Sequence, residues 1–230
     1  MDQQLWNVEL HSHTQWSKDC IVSLEKLVSV CAARGIDRIA ITDHNTADGA
    51  LAMQKIAPDL VIVGEEIMTT HGELLGYFVQ ESIPAGLSPH ETIRRLREQG
   101  AVISVSHPYD RLRKGAWEET DLLAILDQVD AIEIFNARCL YRQDNAKAIN
   151  LARERNLIGT VGSDAHTRGE YGLATMHMEP FEGASSFVES LRAAQGHTRL
   201  NYSHPVVHVH SKTAKWGKKL GLRSRLWEGG

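Results

Sequence analysis

The stretch Val8-Glu9-Leu10-His11-Ser12-His13 decides the fold. It joins a short apolar run, typical of a strand, to two histidines one residue apart. Because side chains alternate along an extended segment, both rings face the same side and can bind one metal ion. The same order, an apolar run followed by metal-binding residue types, recurs at Asp43-His44, Glu65-Glu66 with Glu73, Ser106-His107-Pro108 and Gly162-Ser163-Asp164-Ala165-His166.

The way in which these strand ends must meet favours a barrel. Predicted strands and helices alternate about seven times, which is typical of parallel strands joined by right-handed crossovers. The helical segments are short, and no glycine-rich phosphate-binding motif follows the first strand, so a closed α/β barrel is favoured over an open sheet. In such barrels the active site forms at the carboxyl ends of the strands, where all five clusters fall.

Capping residues mark two of the helices. Ser23 is the predicted N-cap of a helix that ends at Gly35. The sequence Ser88-Pro89-His90-Glu91 has the form of a capping box with proline at the first helical position. Residues 74–79 are predicted to form an added strand beside the third strand.

The chain divides into a barrel and a short extension. The barrel is assigned to residues 1–200, and residues 201–230 form a C-terminal extension rich in basic residues. In that extension Gly217 and Gly221 weaken a helix. A solvated terminus is therefore favoured over a basic amphipathic helix.

Bulk composition limits the class of protein. A chain of 230 residues fits one large domain, and three scattered cysteines are too few for a disulfide framework. No apolar run approaches 18 residues, and the N-terminus lacks a secretion signal, so a cytoplasmic protein without a membrane partner is expected. Acidic residues exceed basic ones by four (29 against 25), and four carboxylates of the predicted site account for that excess.

The five clusters gain their weight from being found together. A single His-x-His pair is common on surfaces, an Asp-His pair can simply cap a helix, and a Ser-His-Pro sequence is often a turn. All five clusters nevertheless follow predicted strands, whereas the predicted strand starts carry no such residues. Imidazoles and carboxylates together are suited to zinc, manganese or iron. The sequence therefore predicts a metal site with more than one ion.

The motifs, in this order, resemble those of the PHP (polymerase and histidinol phosphatase) superfamily. The resemblance covers about residues 6–196 and rests on Glu9-Leu10-His11-Ser12-His13-Thr14, Ile41-Thr42-Asp43-His44-Asn45-Thr46, Gly64-Glu65-Glu66-Ile67, Ser106-His107-Pro108 and Gly162-Ser163-Asp164-Ala165-His166. It implies a distorted (β/α)7 barrel with parallel strands and outer helices. It also implies two or three divalent ions (manganese, iron or zinc) and a phosphoesterase activity.

The resemblance implies a set of nine ligands for three ions. In the order of the first, second and third ion they are His11, His13, Glu66 and Asp164; Glu66 again, as a bridge, with His107 and Glu73; and Asp19, His44 and His166. Asp19 and Glu73 stand where many members have histidine, and His71 competes with Glu73 for its place. An oxygen-rich ligand set favours manganese or iron over zinc.

The implied chemistry is hydrolysis of a phosphate ester by a metal-activated hydroxide at a site with two or three ions. Asp43 is expected to orient His44 or the bound water, or to carry the leaving-group proton. His166 is the second catalytic candidate. Residues beside the strand exits are candidate phosphate contacts, since cationic groups match phosphate oxygens: Arg138, Arg111, Arg113, Lys18 and, as a neutral neighbour, Asn136.

The sequence thus predicts a metal-dependent phosphoesterase that acts on a small phosphorylated substrate, with a nucleotide or a short oligonucleotide left open. Three alternatives remain. An amidohydrolase-like C–N hydrolase typically adds a bridging modified lysine, and no lysine lies at such a strand end. A PHP-type nuclease would be supported by a strongly basic domain, and the charges of this domain are balanced. A non-catalytic module would be expected to have lost some metal ligands, and all nine positions hold residues that can bind a metal. The substrate, the metal and the oligomeric state stay open.

Overall fold

Nine strands form one continuous sheet in residues 4–220, the part of the chain that the computed structural model describes. In chain order the strands are β1 (Trp6–Ser12), β2 (Arg38–Ile41), β3 (Val61–Met68), β4 (Glu73–Tyr77), β5 (Val102–Val105), β6 (Ala131–Asn136), β7 (Ile158–Gly162), β8 (Ala174–Met178) and β9 (Thr198–Leu200).

Seven of these strands form a nearly closed barrel, in the order β7-β6-β5-β4-β3-β2-β1. Ser12, at the end of β1, forms a parallel bridge with Ala165, just after β7. The His13 amide donates to the Ala165 carbonyl at 2.9 Å, and the Asp164 amide donates to the His11 carbonyl at 2.8 Å. The first and last strands therefore meet at their carboxyl ends, and the predicted α/β barrel is confirmed.

Strand β4 departs from the parallel arrangement. The pairs β1–β2, β2–β3, β5–β6 and β6–β7 are parallel, whereas β4 is antiparallel to both β3 and β5. A parallel pair needs a long crossover. The connection from β3 to β4 is instead a tight turn, in which the Thr69 amide donates to the Gly72 carbonyl at 2.8 Å. This hairpin sets Glu73, the first residue of β4, opposite Met68 at the end of β3.

In the described part of the chain seven helices accompany the strands: α1 (Leu24–Arg34), α2 (Asp48–Ile56), α3 (Pro89–Glu98), α4 (Glu119–Leu123), α5 (Arg142–Arg155), α6 (Gly183–Ala193) and α7 (Val207–Lys219). The predicted caps are confirmed. The Ser23 hydroxyl accepts from the Lys26 amide at 3.3 Å, and the Ser88 hydroxyl accepts from the Glu91 amide at 3.2 Å. Gly35 ends α1 with a φ of +62°, a conformation that suits glycine. In residues 4–220 no helix is both long and apolar enough to cross a membrane.

Apolar side chains close the barrel at the end where its parallel strands begin. Phe187 of α6 is fully buried, and its ring lies 5.6 Å from Tyr77 and 5.1 Å from Phe181. The Phe181 ring in turn lies 5.3 Å from Trp6, the first residue of β1. Helix α6 therefore covers the end of the barrel away from the carboxyl ends of the strands, and the predicted ligands lie at the other end.

The C-terminal extension contains a helix, so the expectation that its glycines prevent one is wrong for the described part, although Lys212, Lys215 and Lys219 are exposed to solvent as expected. Helix α7 runs through Gly217, and Val207 and Ser211 on it are buried. Contacts with the barrel explain the helix, since tertiary packing overrides the weak propensity of a glycine. Gly221, Arg223, Arg225 and Trp227 of the basic tail lie outside the described residues.

Candidate metal centre

The residues of the site come from the ends of six barrel strands. His11 lies within a register shift between Glu9 and Ser12 in the pairing of β1 with β2, and His13 directly follows it. Such irregularities re-aim side chains and are frequent beside active sites. After β5 and β7, the residues His107 and Asp164 have φ values of +22° and +50°. Strained backbone of this kind is found where the surrounding structure holds a residue in place for function.

One group of four side chains lies at the centre of the cluster. The Nε2 atom of His11 lies 3.3 Å from Oε1 of Glu66 and 3.7 Å from Oδ1 of Asp164. The Nε2 atom of His13 lies 3.5 Å from Oε2 of Glu66 and 3.1 Å from Oδ1 of Asp164. All four side chains are fully buried. The four residues that the resemblance implies for the first ion are therefore brought together.

A second group extends from Glu66 towards β4 and β5. The Nε2 atom of His107 lies 3.0 Å from Oε1 of Glu66 and 3.4 Å from Oε2 of Glu73. His71 is exposed on the turn, where its Nδ1 atom lies 2.7 Å from the Thr70 hydroxyl. Of the two competing positions, the structure therefore brings Glu73 into the cluster.

A third group lies on the more open side. The Oδ1 atom of Asp19 lies 3.5 Å from Nε2 of His44 and 3.3 Å from Nε2 of His166. The Nδ1 atom of His44 also lies 2.9 Å from Oε2 of Glu66, which links this group to the central one. The side chains of Asp19 and His44 keep 25% and 20% of their surface exposed. This side of the cluster is therefore where solvent reaches it.

The donor set and its spacing fit divalent metal ions. Ligands about 2.1 Å from one tetrahedral ion lie about 3.4 Å from one another, and the distances between ligand atoms above fall between 2.9 and 3.7 Å. Within residues 4–220, several buried atoms here lack a well-aligned hydrogen bond: Nε2 of His11 and His13, Oδ1 of Asp19 and Asp164, and Oε2 of Glu66. Such convergent lone pairs could hold ions at the Glu66-centred groups and at the group of His13, His44 and His166.

Electrostatics keep two of the buried carboxylates, Glu66 and Asp164, ionised. Burial alone would raise the pKa of Glu66, but the neighbouring charge of His11 and a hydrogen bond with His107 hold it well below its usual value. Burial likewise opposes ionisation of Asp164, and the guanidinium of Arg113 outweighs it and lowers the pKa. For His13, burial and then the nearby His166 lower the pKa, which favours the neutral imidazole that a metal requires.

Polar neighbours fix the orientation of the histidine rings. Oε1 of Glu133 lies 3.0 Å from Nδ1 of His11, and its Oε2 accepts the His107 amide at 2.7 Å. The Ser17 hydroxyl lies 3.0 Å from Nδ1 of His13. Partners of this kind fix which ring nitrogen is free to bind a metal. Ser17 was missed in the sequence, because nothing in the local sequence distinguishes it.

Asp43 is placed differently from expectation. Its Oδ1 atom accepts from the amides of Thr14 and Ser17 at 2.7 and 3.1 Å, and its Oδ2 atom accepts from the Thr14 hydroxyl at 2.6 Å. Both oxygens therefore hold the loop after β1, and within residues 4–220 the Asp43 carboxylate makes no direct hydrogen bond to the His44 ring. The expected roles towards the bound water and the leaving-group proton stay predictions. Gly49 of α2 allows this packing, since a Cβ there would lie 2.5 Å from Oδ2 of Asp43.

Arg113 and Asn136 reach the cluster. The Arg113 guanidinium forms an ion pair with Asp164 and lies 3.1 Å from Asp110, which anchors it. The Asn136 side chain donates to Glu133 and Asp164 at 3.2 and 3.3 Å. Arg113 therefore carries positive charge to the edge of an anionic site and is well placed to meet an anionic substrate.

The other substrate-contact candidates are placed less directly. Arg138 is buried, and its Nη1 lies 2.6 Å from Nδ1 of His166 while its Nε lies 3.2 Å from Glu170. Arg111 is turned towards Asp144, to which it is ion-paired. Lys18 is exposed. Glu170 was missed in the sequence because it follows the last motif without any apolar run of its own.

Comparison with known proteins agrees with this arrangement. Residues 142–195 match the model of a PHP-associated family. Two uncharacterized proteins of Methanocaldococcus jannaschii are 38% identical over 142 residues (56% of this chain, 81% of the relative) and 36% identical over 170 residues (73% and 68%). The fold matches a two-domain protein from Bacteroides vulgatus that contains a predicted PHP-like metal-dependent phosphoesterase. The TM-score is 0.67, with 19% identity over 85% of this chain and 64% of that one. The chain belongs to the PHP superfamily.

Another solved structure extends the comparison of folds. A lesion-specific endonuclease from Pyrococcus furiosus aligns with a TM-score of 0.56 and 13% identity, over 84% of this chain and 57% of that one. Identities this low establish the shared fold. Together with the clustered histidines and carboxylates, PHP membership supports a hydrolase in general terms.

Proposed function

We propose that this PHP protein is a metal-dependent phosphoesterase with two or three divalent ions. The observation that carries the proposal is the convergence of nine side chains at one end of the barrel, several of which have buried atoms without a hydrogen-bond partner. The proposed ligand groups are His11, His13, Glu66 and Asp164; Glu66, Glu73 and His107; and Asp19, His44 and His166. Four carboxylates among nine ligands favour manganese or iron over zinc.

When bound, closely spaced divalent ions lower the pKa of water and neutralise charge on a phosphoryl group. The protein's own residues supply the positioning. Glu133 holds the His11 ring, Ser17 holds the His13 ring, and the short Asp43 bonds fix the loop that leads to Asp19. These rigid contacts let the ligands keep one geometry, which is how a preorganised site accelerates a reaction.

Arg113 is proposed as the main substrate contact. Its side chain is 20% exposed, whereas its partner Asp164 is fully buried, so the guanidinium forms part of the wall of the opening. A phosphate arriving at the ions would offer this guanidinium oxygen atoms in the geometry that it binds best. His166 is proposed to be a catalytic residue that also serves as a metal ligand, and Arg138 contacts its Nδ1 atom. Asn136 is proposed to support Asp164 from beside it, and Lys18 and Arg111 to add positive charge further out.

The alternative of a PHP-type nuclease would use the same site on an internal phosphodiester, and an amidohydrolase-like enzyme would use it on a C–N bond. Arg113 favours an anionic substrate over a neutral amide, because a partly exposed guanidinium at the site attracts an anion and gains little from an uncharged amide. The choice between phosphate monoester and diester depends on the shape of the opening, which is considered below.

The test is a substrate panel of phosphate monoesters, nucleotides, a single-stranded oligonucleotide and an amide, each with zinc, manganese and iron separately. We expect phosphate release with at least one metal. His13→Ala should abolish it, because the central ion loses a ligand. His90→Ala is the matched control, since His90 is exposed on α3 and contacts Gln128. No phosphate release from any substrate, or full activity of His13→Ala, would refute the proposal.

A further inference from the structure

Helix α7 is attached to the metal centre at its first turns. The buried Arg138 donates from Nη2 to the Ser211 hydroxyl at 2.8 Å and to the Val207 carbonyl at 3.4 Å. The same guanidinium contacts His166, one of the proposed ligands, through Nη1. The amino-terminal half of α7 is therefore one side chain away from the ligand shell.

The other end of α7 is attached to a different strand exit. Nζ of Lys218 donates to the carbonyls of Gln15 and Ser17 at 2.7 and 2.6 Å. These carbonyls belong to the loop after β1, which carries Asp19 two residues further on. Eleven residues of helix separate Val207 from Lys218, a length of about 16 Å at 1.5 Å per residue. Helix α7 thus extends from the exits of β6 and β7 to the exit of β1.

This path follows the edge of the opening. The exposed members of the cluster are Asp19, His44 and Arg113, at 20–25% of their side-chain surface, while the central ligands are fully buried. Lys218 is bonded to Ser17, two residues before Asp19, and Arg138 joins the first turns of α7 to His166. Helix α7 therefore borders the same opening through which a substrate must pass.

We propose that α7 is a specificity element that limits the centre to substrates with a small or terminal phosphate, and that Lys218 is the positioning residue that holds it there. The inference rests on the proposed phosphoesterase function and names its substrate class. A terminal phosphate carries an organic group on one side of phosphorus, so it needs free space on that side only. An internal diester carries organic groups on both sides and needs free space on both. A helix fixed along one edge of the opening occupies the space that the second organic group of a diester would need.

The test uses the full-length, manganese-loaded protein and two phosphinates of equal charge. Dimethylphosphinate is small, and diphenylphosphinate carries a ring on either side of phosphorus. Calorimetry gives the affinity for each, and hydrogen exchange gives the protection of α7. We expect the unsubstituted protein to bind diphenylphosphinate at least about tenfold more weakly than dimethylphosphinate.

Three substitutions on α7 and one measured ratio decide the outcome. In Lys218→Met, exchange of residues 207–219 should accelerate by about tenfold, and most of the preference for the small ligand should be lost. Lys218→Arg should restore both, because a guanidinium can also donate to two carbonyls. Lys215→Met, on the same helix and exposed, is the matched control and should leave both unchanged.

Each contrary result has a distinct meaning. Unchanged exchange in Lys218→Met, or faster exchange with an unchanged ligand preference, would overturn the role of α7. Failure of both phosphinates to bind would overturn it as well. If both ligands bind with the expected preference while no phosphate ester is hydrolysed, the specificity element stands and the proposed function fails.

Discussion

Glu133 offers the sharpest test of the metal centre, because one carboxylate serves two proposed ligands. Its Oε1 lies 3.0 Å from Nδ1 of His11, and its Oε2 accepts the amide of His107 at 2.7 Å and the side chain of Asn136 at 3.2 Å. Glu133→Gln keeps the size of the side chain and replaces one acceptor with a donor. Either orientation of the new amide therefore loses a bond.

If the glutamine NH2 faces His11, two donors meet unless the ring moves its proton to Nε2, the atom that faces Glu66 and Asp164. A protonated Nε2 cannot bind a metal. If the NH2 faces His107, a buried amide loses its acceptor, which costs about 1–3 kcal/mol of stability. Loss of such an orienting partner typically lowers metal affinity by about 10- to 100-fold, or about 1.4–2.7 kcal/mol.

The assay is equilibrium dialysis against buffered manganese, with metal content measured by elemental analysis. Glu154→Gln is the matched control, because Glu154 is exposed on α5. We expect the control to keep the affinity of the unsubstituted protein. Manganese affinity of Glu133→Gln within about twofold of the control would refute the role of Glu133 as the acceptor that fixes His11.

Three further predictions test other parts of the molecule. In Gly115→Ala the new Cβ would lie 2.6 Å from Oε2 of Glu73, so the Glu73 side chain should shift and the bound-metal content should fall. Gly169→Ala is the control and should leave the metal content unchanged. Equal metal content in both variants would contradict the prediction. Manganese at 100 times its dissociation constant for the unsubstituted protein should raise the Tm by roughly 5–10 °C over chelator-treated protein. At the same manganese concentration the rise should be smaller in His13→Ala. An equal rise in Tm would contradict metal binding by His13. Phe187→Ala should cost about 3–5 kcal/mol in urea unfolding without changing metal content, because α6 covers the opposite end of the barrel; loss of metal would contradict that separation.

The parts of the site that the sequence predicts are those with local signals. Each of His11, His44, Glu66, His107 and Asp164 follows an apolar run that forms a buried strand. In a barrel, strand ends meet whatever the crossovers contain, so position along a strand is enough to place such a side chain. The antiparallel direction of β4 is less visible, because it depends on a short hairpin whose residues resemble those of any loop.

The roles that were not predicted depend on contacts between distant segments. Asp43 looks like a partner for its neighbour His44, but Thr14 and Ser17 reach it from another strand exit. Arg111 and Arg113 are two residues apart, yet one is paired with Asp144 and the other with Asp164. The partner of each side chain depends on which charged or polar group the folded loop brings within hydrogen-bonding distance. A single sequence does not give the distances between such distant segments.

The charge balance of the cluster argues that it is built for cations and not for its own stability. Glu66 and Asp164 are fully buried, and burying ionised carboxylates costs more than ordinary ion pairs return. Burial lowers the pKa of His11 and His44, but neighbouring carboxylates outweigh it and raise both pKa values. For His13, burial and then His166 lower the pKa, so protonated histidines can compensate only part of the negative charge. Arg113 compensates Asp164 from one side alone. A divalent ion among the neutral imidazole nitrogens would supply the missing charge without protonation, so retaining this many buried acids is reasonable only if the fold gains metal binding from them.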